Sequence, residues 1–307
     1  LAYDIDIRNL VKHYGDVTAV DGLSLKVAEG EMMGLIGPDG AGKTSTLRML
    51  CGLIKPDTGD CFVAGKHTAG DTAFVRSIVG YMPQRFSLYP DLSVEENLRF
   101  FADLFQVEKT EREKRLRRLL QFSRLGPFSK RRAAALSGGM KQKLALSCTL
   151  IHTPKILLLD EPTTGVDPVS RREFWDILGE LKQQGVTLLV TTPYMDEAAK
   201  CDRVALVNNG RVLHAAKPDS LAGLFRHTLI ELTCENHVRA AKALSASGRF
   251  VNVQSYGDRI HISGVGKAEQ VSAQAEAVLS TSGLRICKMK QVRPSIEDVF
   301  VELLNPE

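Results

Sequence analysis

The sequence predicts an α/β fold, and three observations predict it. Residues 156–159 (Ile-Leu-Leu-Leu) and 186–190 (Val-Thr-Leu-Leu-Val) are continuous apolar runs bounded by breakers, which suit central parallel strands covered on both faces. Segments of helical periodicity separate the strands, as parallel pairing requires. Between an apolar run at 32–36 and a helix opening at 45–50 lies Gly37-Pro38-Asp39-Gly40-Ala41-Gly42-Lys43-Thr44. It fits the phosphate-loop pattern G-x-x-x-x-G-K-[ST] in the strand–loop–helix setting that the pattern needs.

Along the chain, residues 1–30 alternate apolar and polar, as in Asp4-Ile5-Asp6-Ile7-Arg8, and read as antiparallel strands with one solvated face. In the loop at 37–44, glycines let backbone N–H groups converge on a polyphosphate, and the helix start adds positive partial charge. Lys43 can reach the β- and γ-phosphates, and the Thr44 hydroxyl can ligate Mg²⁺. Residues 61–65 and 79–82 read as short strands. From Ser93 to about Ser123 the pattern is helical, opened by a capping box at Ser93-Val94-Glu95-Glu96. Residues 109–118 are dense in Arg, Lys and Glu and read as a solvated face laced with ion pairs, with lipid headgroups or a partner's acidic loop as the other reading.

Residues 156–161 place Asp160 and Glu161 at the exit of a buried strand, on the sheet edge where open α/β folds bind ligands. Asp160 is placed to hold Mg²⁺ through water, and Glu161 to orient or deprotonate an attacking water. Ser137-Gly138-Gly139 opens a helix and offers free N–H groups and a hydroxyl to an anion. Gln84 stands just past a strand end, after Tyr81-Met82-Pro83.

After about Lys217-Pro218 the character changes. The order strand (228–234), helix (237–247), hairpin (250–254 and 259–263), helix (267–282), strand (285–291) predicts a small ferredoxin-like α+β unit. Residues 295–304 read as a closing amphipathic helix with Ile296, Val299, Phe300 and Leu303 on one stripe.

The composition is globular: 307 residues, 44% hydrophobic, 25% charged, net charge +4. That charge is too mild to imply nucleic acid, and no apolar run reaches the roughly 20 residues that cross a bilayer. Cys51, Cys61, Cys148, Cys201, Cys234 and Cys287 lack C-x-x-C spacing and read as small buried hydrophobes in a reducing compartment, without disulfides or zinc. No signal-peptide pattern opens the chain. It starts on Leu1, which reads as a piece of a longer polypeptide.

Taken together and in this order, the motifs resemble the nucleotide-binding domain of ATP-binding cassette (ABC) transporters over about residues 3–222. The resemblance implies a P-loop NTPase core with antiparallel β and helical subdomains, the domain running 1–222 with its helical part at about 87–150, and an accessory α+β domain at 223–307. It assigns Walker A to Gly37, Pro38, Asp39, Gly40, Ala41, Gly42, Lys43, Thr44 and Ser45, the Q-loop to Gln84, and the signature to 136–140. Asp160 and Glu161 become Walker B with its catalytic glutamate, and Gly165-Val166-Asp167-Pro168 the D-loop. Tyr14 falls where the family stacks an aromatic on adenine, although it also fits plain core. Thr44, Gln84 and Asp160 become the Mg²⁺ side of an ATP site, with Lys43, Glu161 and Gln84 acting in hydrolysis. The family works as a head-to-tail pair of such domains driving integral membrane permease subunits from the cytoplasmic face. Its nucleic-acid-acting relatives carry charged inserts that this chain lacks, so no nucleic-acid partner is expected.

Three departures stand out. Pro193 occupies the place of the family's switch histidine, and proline has neither imidazole nor N–H. Thr192 and Tyr194 are the remaining candidates for that role. The Walker site is therefore expected to turn over slowly or to serve mainly for binding, even though Glu161 is intact; a non-hydrolysing nucleotide-dependent scaffold is the alternative. Asp39 replaces the usual Walker A asparagine and brings negative charge toward the phosphates. Met140 replaces the usual signature glutamine and leaves Ser137-Gly138-Gly139 able to complete a site on another subunit. The wording of 191–198, 165–168 and 295–300 is similar to bacterial type-2 exporters, and within them Gly37-Pro38-Asp39-Gly40 together with residues 136–144 resembles the first half of tandem proteins. For the C-terminal unit, structural support or dimer contact and a small-ligand regulatory role both stand open.

Overall fold

The computed structural model describes residues 2–85 and 88–304. Leu1 and the expected subdomain boundary at residue 87 lie outside the described residues. The chain divides into two compact units, Leu1–Pro218 and Asp219–Glu307.

The first unit runs β1 (Tyr3–Tyr14), β2 (Val17–Ala28), β3 (Met32–Ile36), α1 (Lys43–Leu50), β4 (Thr58–Val63), β5 (Lys66–His67), α2 (Thr72–Ile78) and β6 (Val79–Met82). It continues with α3 (Val94–Leu104), α4 (Lys109–Phe122), α5 (Gly138–Leu150), β7 (Ile156–Asp160), α6 (Pro168–Gln183), β8 (Thr187–Thr192), β9 (Arg203–Asn208) and β10 (Arg211–Ala216). One sheet is antiparallel, in the order β2-β1-β4-β5. The other has the order β10-β9-β3-β8-β7-β6, parallel except for the edge strand β10. β3, β7 and β8 are buried at every position, as their unbroken apolar wording requires.

β1 corrects the expectation of a solvated polar face. Asp4 and Asp6 are both buried. Asp4 accepts from Thr187 Oγ1 at 2.6 Å and pairs with Lys155 at 3.0 Å, so the main sheet supplies the partners that water was expected to give. Asp6 is held by Arg8.

The helical stretch behaves as its residues predict. Ser93 and Glu96 close a capping box that starts α3. The charged wording of α4 is used against α3, where Arg99 pairs with Glu113, and Arg112 with Asp103. Such exposed pairs add little stability and mainly fix the relative setting of the two helices.

A short helix, α7 (Pro218–Leu221), begins at the division of the units. The second unit follows as β11 (Thr228–Cys234), α8 (His237–Ala246), β12 (Asn252–Tyr256), β13 (Arg259–Gly264), α9 (Ala268–Thr281), β14 (Ile286–Gln291) and α10 (Ile296–Leu304). Its sheet is antiparallel, in the order β12-β13-β11-β14. One face buries Ile230, Leu232, Ile260 and Ile262 against Ala240 and Leu244 of α8 and Val271, Ala275 and Leu279 of α9. The side chains that alternate with these include the polar Glu231, Thr233, Arg259 and His261. Among them, His261 Nδ1 lies 2.8 Å from Asp298 of α10, and its Nε2 lies 3.4 Å from Glu231.

The cysteines are corrected in part. Cys51, Cys61, Cys148 and Cys201 are buried, but Cys234 is half-buried and Cys287 exposed. All six are free thiols.

Candidate active site

The register of the parallel strands assembles the site. Ile36 at the end of β3 pairs with Thr192, and Asp160 at the end of β7 pairs with Thr191. β6 lies on the other side of β7 and ends at Met82, two residues before Gln84. The loop at 37–42, Asp160, Glu161, Thr191 and Gln84 therefore leave one carboxyl edge of one sheet.

The loop folds as its glycines dictate. Gly42 caps α1 at φ 94°, a left-handed value that favours glycine. A Cβ there would meet Ala19 O at 2.3 Å, and one on Gly37 would meet Val207 O at 2.1 Å. Lys43 is buried and folds back over its own loop. Its Nζ donates to Gly37 O at 2.8 Å and Pro38 O at 2.9 Å, and lies 3.3 Å from Glu161 Oε1. Gly37 and Pro38 thus serve through their carbonyls, not by lining the cleft.

The two carboxylates are held separately. Asp160 Oδ1 accepts from Thr44 Oγ1 at 3.0 Å and Thr191 Oγ1 at 2.9 Å, while Oδ2 lies 3.4 Å from Tyr81 OH. Burial, reinforced by the Asp160 charge, pushes the Tyr81 phenol up to about 12, so it stays a neutral donor. Glu161 Oε2 accepts from Gln84 Nε2 at 2.8 Å and Thr164 Oγ1 at 3.3 Å. Its backbone sits at φ 48°, in the left-handed region. The Thr44 hydroxyl and the Asp160 carboxylate make an all-oxygen donor set, the chemistry Mg²⁺ prefers when phosphates and waters complete its shell. Among the described residues no cluster of three His, Cys, Asp or Glu side chains forms a metal cage.

Above these groups opens a cleft of about 450 Å³, whose lining includes Tyr14, Asp39, Gly40, Lys43, Gln84 and Glu161. Thr44 and Ser45 also reach it. Tyr14 is 46% exposed, which excludes the plain-core reading, and the Lys12 ammonium lies over its ring at 5.8 Å from the centroid. Among the described residues no Lys, Arg or His pairs with Asp39, so its charge faces the cleft uncompensated. Ser137 and Gly138 are exposed and stand outside this cleft. Ser137 caps α5 by accepting from Met140 N at 3.3 Å, and the buried Gly139 packs where a Cβ would meet Ser170 Cβ at 2.4 Å.

A sequence model of the ABC transporter family matches residues 20–164. The Nod factor export ATP-binding protein I of Rhizobium etli is 36% identical, over 99% of this chain and 94% of that protein. The chain belongs to the ABC transporter ATP-binding family. The probable multidrug ABC transporter ATP-binding protein YbhF of Escherichia coli is 40% identical over 98% of this chain, which spans about half of that protein's length (52%). A solved ATP-binding subunit of an ABC transporter has a TM-score of 0.64 at 30% identity, covering 71% of this chain and 92% of that one. The post-hydrolysis dimer of the cassette MJ0796 bound to ADP and Pi gives 0.63 at 26% identity, covering 69% and 98%.

The segment after β8 has its side chains turned to partners of its own. Thr192 is fully buried and donates to Glu197 Oε2 at 2.6 Å. Tyr194 lies under the Arg171 guanidinium, 4.1 Å from ring centroid to Cζ. Glu197 also accepts from Thr163 Oγ1 at 2.8 Å and Arg171 Nε at 3.0 Å. Of the two candidates to replace the histidine, Thr192 therefore has its hydroxyl engaged elsewhere, and Tyr194 has its ring face covered by Arg171. The sequence reading missed the hydroxyls of Tyr81, Thr164 and Thr191. The signal for Thr191 was its place at the end of an apolar strand that neighbours the one carrying Asp160.

Proposed function

We propose that this chain is the ATP-binding and ATP-hydrolysing subunit of an ABC exporter, driving separate integral membrane permease subunits from the cytoplasmic face by ATP-dependent pairing with a second nucleotide-binding domain. The observation that carries the reading is the meeting of Lys43, Thr44, Gln84, Asp160 and Glu161 at one cleft. Lys43 and the loop amides hold the phosphates, Thr44 and Asp160 hold Mg²⁺, and Tyr14 stacks on the base. Bound there, Mg²⁺ supplies positive charge against the β- and γ-phosphate oxygens. Glu161 and Gln84 position the water for in-line attack. The export functions named for the Nod factor and multidrug relatives support the direction of transport. The exposed Ser137 and Gly138 outside the cleft support completion of a second site on a partner domain.

Turnover at this chain's own Walker site is slow, because Pro193 has no donor to offer the γ-phosphate and the Thr192 hydroxyl is spent on Glu197. The test is steady-state ATP turnover of the chain beside Lys43→Ala and Pro193→His. Slow wild-type turnover that rises in Pro193→His supports the reading. Fast turnover, unchanged by the histidine, overturns the slow-site part. Pro193 also favours a second reading, a nucleotide-dependent scaffold. ATP-dependent pairing with no turnover above Lys43→Ala in either form would establish it.

A further inference from the structure

Thr191 ends β8 directly beside Asp160, and its side chain is wholly buried. Its hydroxyl makes two contacts at once: Oγ1 donates to Asp160 Oδ1 at 2.9 Å and accepts from the Glu161 amide at 2.9 Å. The same amide also donates to the Thr191 carbonyl oxygen at 3.1 Å, so it is shared between the backbone and the hydroxyl of one residue. A hydroxyl has one proton and two lone pairs, so this arrangement uses the donor and an acceptor site together. Both beneficiaries need support. Glu161 is a non-glycine residue at φ 48°, a conformation that persists only when its surroundings over-determine it. Asp160 must offer its carboxylate toward Thr44, whose hydroxyl reaches the same Oδ1.

We propose that Thr191 is a positioning residue that sets the spacing between the metal-side carboxylate of Asp160 and the water-side carboxylate of Glu161. It touches neither the phosphate nor the water. Its hydroxyl orients one carboxylate and adds a second acceptor to the backbone amide of the other residue, an amide that already donates to the Thr191 carbonyl. The kinetic part of this proposal rests on the ATPase reading above; the structural part does not.

Valine keeps the shape of Thr191 and removes the hydroxyl, whereas serine keeps the hydroxyl. Three measurements on the full chain test the idea: hydrogen exchange at the Glu161 amide without nucleotide, kcat and KM for ATP with Mg²⁺, and the melting temperature. In T191V the Glu161 amide keeps its bond to the residue-191 carbonyl and should exchange about threefold faster, for loss of one of two shared acceptors. In the same variant kcat should fall about tenfold with KM nearly unchanged, as expected for loss of one hydrogen bond to the charged Asp160. T191S should restore both. Unchanged exchange in T191V, or equal damage in T191V and T191S, overturns the proposal. If T191V melts more than about 10 °C below wild type, T191A replaces it in the same comparison. ATP binding by wild type no tighter than by Lys43→Ala would sink the ATPase reading instead, and the exchange data would still decide the role of Thr191.

Discussion

The Lys43 ammonium and the Glu161 carboxylate face each other at 3.3 Å, each side chain more than nine-tenths buried. Removing one partner of such a pair leaves a buried charge with less to offset it. Lys43→Ala should therefore abolish nucleotide binding and also lower the stability of the nucleotide-free protein by about 1–3 kcal/mol. Urea unfolding of Lys43→Ala, Glu161→Gln and the double variant measures this. The double variant should cost clearly less than the two single costs added, as contacting groups do.

Gly37 and Gly40 predict opposite outcomes for the same change. A Cβ on Gly37 would lie 2.1 Å from the Val207 carbonyl, while Gly40 has open space around it. Gly37→Ala should cost about 3 kcal/mol through overpacking. Gly40→Ala should cost only about 1 kcal/mol, from its positive φ. Thermal melts of the two variants would show the contrast.

Tyr14 offers a half-exposed ring at the cleft. Tyr14→Ala should weaken ATP binding about tenfold, and Tyr14→Phe should hold it, because stacking needs the ring and not the hydroxyl. Binding of inorganic triphosphate, which has no base, should be the same in all three proteins. A parallel loss of triphosphate binding would show that Tyr14 shapes the loop rather than the base.

In the second unit, the hydrogen bond to Asp298, with Glu231 behind it, raises the His261 imidazole above its ordinary value, although burial opposes this. Burial would raise Asp298, but the hydrogen bonds from His261 and Ser295 hold it below its usual range. Tyr256, T-shaped against the ring at 4.8 Å, is kept neutral by burial. Arg259 and Lys290 face Glu231 from the neighbouring strands. A raised histidine stabilises fully below its unfolded pKa of about 6.5 and loses that contribution as pH rises through the folded value. A lowered aspartate contributes above its unfolded pKa of about 3.9 and loses this as pH falls through the folded value. The melting temperature of the second unit should thus fall as pH rises above neutrality, and His261→Gln should flatten that slope. An unchanged slope would place the pH dependence elsewhere.

The strands, the phosphate loop and the acidic pair were legible because each is local. Apolar runs report burial, and G-x-x-x-x-G-K-T reports its own turn. What pairs with what was less legible. Asp4 looked solvated because the residues that satisfy it, Lys155 and Thr187, stand more than 150 positions away. Thr191 and Thr192 looked alike in the sequence, yet one serves Asp160 and Glu161 and the other serves Glu197. Only the register of β7 against β8 separates them. Pro193 was legible as a missing imidazole, but the engagement of its neighbours was not.

The contact of Gly139 with Ser170 has a mechanical consequence. A hypothetical methyl there would sit 2.4 Å from Ser170 Cβ and 3.5 Å from Val166 Cγ1, so the first turns of α5 and α6 touch with no clearance. Ser137 caps one of these turns and Asp167 caps the other. The two caps behave as adjacent teeth cut from one block. Between the two turns there is no room for even one added methyl group.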